Sequence, residues 1–379
     1  MKTKVTLTAL IVLVAIAGAA LVVVVSATSK SNPVLWYYSK GEVYRFDPQT
    51  QVVQQVKLPS KATFFPALSH DGHYLAYADD ANLRVIQTSN LEVVLTVPHL
   101  ETSRRTNLTD TQYIPAVWSP DDQWLLLSMR RYEQEGLGLL NVSNFKIVEV
   151  TRTDGYRFTC GFTGAAWAPD SSKIIFTQER SQTCEWGSSP AGVTQARPNA
   201  PQSSLLFTYT LASQNEQSLT VGSVADPAWE PRTNWLAFSQ EIDQVTQSSN
   251  DGRATRLFLI RPDGTDPHPI SFNITGMIHT PVWDETGERL FFSSYQADSA
   301  SDGVYQSKAD GTEAKLVVDG VGLAPIAISP DNDYLAYGEQ NTDMYFITIA
   351  PSWNLGFWIQ DLANRQTKRF DSAVFLGWQ

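Results

Sequence analysis

Cysteine is nearly absent from this chain: Cys160 and Cys184 are the only two in 379 residues. Histidine is scarce at five, and charged residues make up only 18%. No HExxH, glycine-rich phosphate loop or GxSxG elbow occurs, so zincin, P-loop and α/β-hydrolase chemistry have no local signature. The five histidines (His70, His73, His99, His268 and His279) are scattered, and two cysteines without a neighbouring histidine do not make a tetrahedral metal set. No metal or other cofactor is expected, and no catalytic residue is assigned. The segment 298–303, DSASDG, lacks the twelfth-position Glu of a calcium loop. Basic charge is short as well. The formal charge is −11, and residues 1–30 hold three Lys and no acid, so residues 31–379 carry −14. Such a surface repels phosphate backbones and anionic headgroups, which speaks against nucleic-acid binding.

What the chain does contain is a repeated phrase. An apolar residue precedes a Trp, a turn follows, and a short apolar strand follows the turn. The copies are AVWSPDDQWLLLS, AAWAPDSSKIIFT, PAWEPRTNWLAFS and PVWDETGERLFFS, with ALSHDGHYLAYA, AISPDNDYLAYG and a final AVFLGWQ. The anchors are Leu68, Trp118, Trp167, Trp229, Trp283, Ile328 and Trp378, spaced by 50, 49, 62, 54, 45 and 50 residues. Flanks of four to seven apolar or β-branched residues are strand-length, and Ser-Pro-Asp or Asp-Glu-Thr-Gly between them is hairpin chemistry. A second pair of strands around an Asp-Gly turn follows, clearest in RLFLIRPDGTDPHPIS and GVYQSKADGTEAKLV. Four strands per period of 40 to 50 residues describe a propeller blade. A ring recurring at one slot is what interblade packing demands.

Six complete units begin near residues 62, 112, 162, 224, 279 and 323. The stretch from Val34 supplies three strands without the phrase, and Ser372–Gln379 supplies the phrase alone. Joined, they predict a seventh blade, with pairing of Phe375–Trp378 to Leu35–Tyr38; six blades is the fallback. The expected fold is therefore an all-β, seven-bladed propeller over 34–379.

Residues 5–29 carry no charge, and Thr8–Val25 is almost wholly apolar behind Lys2 and Lys4. At 1.5 Å per residue a helix here crosses the hydrocarbon layer. Two readings of residues 1–30 stand: an uncleaved membrane anchor with a short linker, or a cleaved signal peptide. Either exports the propeller, anchored outside the cytoplasmic membrane in one case and secreted or periplasmic in the other. Membrane contact is confined to this segment. In an oxidising compartment Cys160 and Cys184, on one rim of the third unit, are expected to form a disulfide worth about 3 kcal/mol.

Three insertions interrupt the repeat between second and third strands, at 180–204, 241–254 and 340–354. Hairpin alternation sends all three from one rim. They carry Trp186, Tyr345, Phe346 and Trp353, and aromatics on loops held by a rigid scaffold are interface chemistry. The expected function is a monomeric, non-enzymatic module binding a protein or cell-envelope ligand on this rim. The alternative is a carbohydrate-active hydrolase or lyase with a site at the channel mouth.

The phrase AVWSPDDQWLLLS and the later RLFLIRPDGTDPHPIS resemble the TolB-like propeller repeat over about residues 34–379. That resemblance implies a periplasmic or extracellular propeller that binds other proteins. The chain departs from TolB in leaving no room for an amino-terminal α/β domain and in counting seven blades rather than six, which speaks against a role in the Tol–Pal system. Similar repeats form the propeller of prolyl-oligopeptidase-type peptidases, whose hydrolase domain has no counterpart here. Oligogalacturonate lyase, a related seven-bladed enzyme, sets histidines around a metal, unlike the scattered five of this chain.

Overall fold

The computed structural model describes residues 32–99, 111–131, 134–150, 162–180, 203–220, 222, 224–243, 253–274, 276–295, 302–339 and 356–379, and two strands within 10–25. Its compact units are Met1–Asn32 and Pro33–Gln379. The second is a ring of seven four-stranded antiparallel sheets. Blades are numbered here from the first complete repeat. Blade seven joins the chain ends: Ala373–Trp378 pairs with Leu35–Ser39, which continues into Glu42–Phe46 and Val53–Val56. The register sets Leu35 opposite Trp378, Tyr37 opposite Phe375 and Tyr38 opposite Val374, so the seven-blade count holds.

First strands of neighbouring blades touch one another, which places them nearest the axis. Seven clusters of buried apolar side chains fill the seven interblade interfaces. The anchor rings lie in them. The indole N–H of Trp118 donates to the carbonyl of Ala67 at 3.0 Å, Trp167 to Val117 at 3.1 Å, and Trp229 to Ala166 at 3.3 Å. Each acceptor stands one residue before the anchor of the preceding blade. A flat ring therefore fills the interface and also ties its edge to the next sheet. The second-strand tyrosines add a layer: Tyr74 stacks on Trp118 and Tyr334 on Trp378, each across a blade boundary.

The turn after each anchor explains its composition. The hydroxyls of Ser69, Ser119 and Ser329 accept the backbone N–H of Tyr74, Trp124 and Tyr334, closing the hairpin from within. One turn position is left-handed in six blades: Gly72, Asp122, Ser171, Asn234, Gly287 and Asn332 have φ between 54° and 72°. Glycine suits position 287, whose backbone is left-handed and where the Glu230 carboxylate of the preceding blade lies against the Cα. Asp122 tolerates the conformation and uses it, accepting the N–H of His70 at 2.7 Å and of Asp71 at 3.0 Å from blade one.

Two buried carboxylates lock individual blades. Burial alone would raise the pKa of Asp79 and Asp284, but hydrogen bonds outweigh it and hold both below the usual carboxylate range. Asp79 receives Arg84 Nε at 2.6 Å, Ser60 Oγ and the N–H groups of Ala81 and Asn82. Asp284, 1% exposed, receives Arg289 Nε at 2.8 Å, the Thr286 hydroxyl and the N–H of Glu288 and Arg289. A depressed folded pKa contributes stability that is complete above the unfolded value, about 3.9. That contribution is lost as pH falls through the lower folded value. The guanidinium midpoint should hold between pH 7 and 5 and drop below about pH 4. Asp284→Asn should remove on the order of 2 kcal/mol at pH 7 and flatten that acid limb.

The expected helix over Thr8–Val25 is not what the structure shows. Leu10–Ile16 and Ala19–Val25 pair as antiparallel strands, a state that suits their run of Val and Ile. Among the described residues no helix is long and apolar enough to cross a membrane.

Candidate functional site

The residues singled out on the long insertions, Trp186, Tyr345, Phe346 and Trp353, lie outside the described residues, as do Cys160 and Cys184. Their points of departure are described. In blade three Arg180 pairs with Ser203, and in blade four Asp243 pairs with Arg253, so both segments leave between second and third strands. The hairpins extend into the expected insertions: Arg180–Ser203, Ile242–Ala254 and Asp243–Arg253 are strand pairs rather than loop. The segment at 340–355 departs after Tyr334–Glu339 of blade six. Antiparallel alternation puts all three departures on one rim.

Outside blades four and five the innermost strands are mostly apolar or small and carry no charge. Ile114, Ala165, Ile326, Phe375 and Leu376 are half-buried there. The break in this lining is between blades four and five, in Val224–Trp229 and Met277–Trp283. Both strands bulge, at Ala225–Ala228 and His279–Val282. At the bulges Asp226 and Thr280 occupy equivalent slots three residues before the anchor, and both have left-handed backbones, φ 52° and 56°. Each precedes a proline, Pro227 and Pro281. A β-branched residue at positive φ is an outlier, and a following proline narrows the choice further. Such conformations cost about 1–3 kcal/mol each and persist where surroundings enforce them.

Serine hydroxyls from the second strands supply part of that enforcement. Ser239 Oγ lies 3.0 Å from the Ala225 carbonyl and 3.0 Å from Asp226 Oδ2, with one proton to serve them. In the equivalent place Ser293 Oγ lies 3.0 Å from the His279 carbonyl and 3.0 Å from His279 Nδ1. The Thr280 N–H reaches across the blade boundary to Asp226 Oδ2 at 3.3 Å, and Thr280 Oγ1 sits 3.1 Å from His279 Nδ1. Burial holds the His279 pKa below the ordinary imidazole value, and the Asp226 carboxylate offsets only part of that. Burial therefore favours the neutral His279 ring.

The node is on the insertion side of the channel. His279 pairs with Ser293, two residues from the strand end at Met277 and Tyr295, where the chain turns to the insertion rim. Ser, His and Asp meet here, yet Ser293 is 3% exposed and spends its hydroxyl on its own blade, so it is no nucleophile. Among the described residues no three His, Cys, Asp or Glu side chains are grouped to hold a metal ion.

The sequence treated His279 as isolated and did not mark Asp226. Aligning the repeats on their anchors would have exposed both, since Asp226 and Thr280 fall in one slot and each is followed by proline.

No protein-family model matches the chain, and no curated protein matches it. Solved structures with a similar fold exist. An oligogalacturonate lyase from Vibrio parahaemolyticus superposes with a TM-score of 0.54 at 12% identity, covering 90% of this chain and 86% of that one. A prolyl endopeptidase gives 0.56 at 13%, covering 91% of this chain and 49% of that one, so this chain spans about half its length. A TolB protein of Agrobacterium tumefaciens gives 0.43 at 18%, covering 80% and 95%. At such identities the likeness shows the fold alone, the β-propeller that the repeat predicts.

Proposed function

We propose that this chain is an exported, non-enzymatic propeller that binds a protein or cell-envelope ligand on the rim bearing the three insertions. The observation that carries the reading is the departure of those insertions from one rim, two of them on elongated second and third strands. Rigid blades from which long insertions depart on one rim are a recognition architecture. Trp186, Tyr345, Phe346 and Trp353 are the contact residues of this reading, and a Cys160–Cys184 disulfide closes the blade-three loops beside them. Residues 1–30 export the propeller and either tether it or are removed.

The hydrolase or lyase alternative needs several acids or histidines converging at the channel. Only Asp226 and His279 meet among the described inner-strand residues, and His279 is turned to its own blade by Ser293. An oligogalacturonate lyase of similar fold was solved with manganese, which is a property of that protein.

The test is capture of partners by the full-length protein after cross-linking in its native cells, followed by affinity measurement. A Trp186→Ala, Trp353→Ala double variant should bind the captured partner at least about tenfold more weakly, with an unchanged melting temperature. Undiminished affinity would remove the rim from the function.

A further inference from the structure

The seven innermost strands contain one formally charged residue, Asp226. A lone carboxylate in an otherwise uncharged ring is costly unless something compensates it. Compensation within the chain is partial. Asp226 Oδ2 faces two neutral donors, Ser239 Oγ and the Thr280 N–H, while among the described residues no hydrogen bond or ion pair engages Oδ1. Burial favours the neutral form of the imidazole beside it. The carboxylate is nonetheless held in place: its backbone is in a left-handed bulge, the next residue is proline, and the facing Thr280 shares that conformation. An anchored acceptor with a free oxygen, on the half of the channel below the insertion rim, is built to receive a donor from outside the chain.

From this geometry we infer that Asp226, flanked by Thr280 and His279, is the recognition point for a basic side chain, lysine or arginine, that a protein partner inserts into the channel mouth. Charge complementarity selects the class. Residues 31–379 carry −14, which draws cationic segments toward the propeller. A long basic side chain brings its head to Asp226 on a methylene stem that tolerates the uncharged inner strands. This inference deepens the rim-binding reading by naming the chemistry of the inserted group.

The probe is a pair of tripeptide amides, acetyl-Gly-Arg-Gly and acetyl-Gly-citrulline-Gly. They have nearly the same shape and differ in charge. Binding to the full-length protein is followed by calorimetry, and His279 and Thr280 are watched by NMR. The arginine peptide should bind about tenfold or more tightly than the citrulline peptide and shift the His279 and Thr280 signals. Asp226→Asn, which keeps the shape and an acceptor for Ser239, should erase that preference. Equal binding of the two peptides overturns the inference, as does no binding of the arginine peptide. A preference that survives in Asp226→Asn, or that shifts residues elsewhere, also overturns it. The wild-type comparison stands alone should the variant fail to fold. The two readings fail separately: a partner lost on Trp186 and Trp353 substitution but indifferent to Asp226→Asn keeps the rim and discards the basic side chain.

Discussion

Deleting residues 373–379 should abolish cooperative folding of the propeller. This is the largest effect expected of any small change in the chain. The strand Ala373–Trp378 is the innermost strand of blade seven, and its partner Leu35–Ser39 lies at the other end of the sequence. Gln379 completes the join. Its N–H and C=O exchange hydrogen bonds with Val34, and its side chain accepts the Trp36 indole N–H at 2.9 Å. Removing the strand takes Val374 out of the interface with blade one and Trp378 out of the interface with blade six. It also bares Leu35 and Trp36, which are fully buried. Loss of one large buried ring costs about 3–5 kcal/mol, and with a ladder and a second core the sum approaches the 5–15 kcal/mol of a whole domain. The exposed strand edge also invites association between chains. Near-ultraviolet circular dichroism on heating, with size-exclusion chromatography, should show no cooperative transition and soluble aggregates. A truncated chain that melts sharply near the parent temperature would refute ring closure as the source of stability. Gln379→Ala is the mild control, losing about 1 kcal/mol for the Trp36 bond.

The ring was legible because its repeat is written in residues with narrow physical roles. An anchor every 45 to 62 residues, Trp in five of seven copies, announces one recurring layer, and the Asp, Gly and Asn that follow announce a left-handed turn position. Blade seven was legible for the same reason, since AVFLGWQ is a phrase lacking its sequel. The polar node was less so: the shared slot of Asp226 and Thr280 and their prolines can be read by aligning the anchors, but the bulged, left-handed backbone that brings them together has no composition of its own. His279 looked isolated in sequence since its neighbours Ser293, Asp226 and Ser239 come from other strands. The ends of the hairpins of blades three and four were read as loop because Arg180, Glu241 and Asp243 are polar. Strand pairing there follows from continuing the ladder outward, which polar side chains permit on a solvated rim.

Phenylalanine in place of the anchor tryptophans should divide them into two classes. Trp118, Trp167 and Trp229 each spend the indole N–H on a carbonyl of the preceding blade, at 3.0, 3.1 and 3.3 Å. Trp283 and Trp378 keep theirs buried without an acceptor among the described residues. A Trp→Phe change at the first three removes a hydrogen bond as well as area, and should cost about 1 kcal/mol more than the packing loss alone. At Trp283 the same change discards an unsatisfied buried donor, whose desolvation penalty is about 1–3 kcal/mol. Its packing loss is thereby offset, leaving the variant near neutral. Alanine at Trp118 or Trp229 removes ring and bond together and should cost about 3–5 kcal/mol, enough to shift the guanidinium midpoint visibly at constant slope. Near neutrality at Trp283→Phe beside a clear loss at Trp118→Phe would mean that the indole nitrogen was selected as a strap between sheets. Equal losses at both would mean that only the shape of the ring matters, and that the three observed bonds are incidental to it.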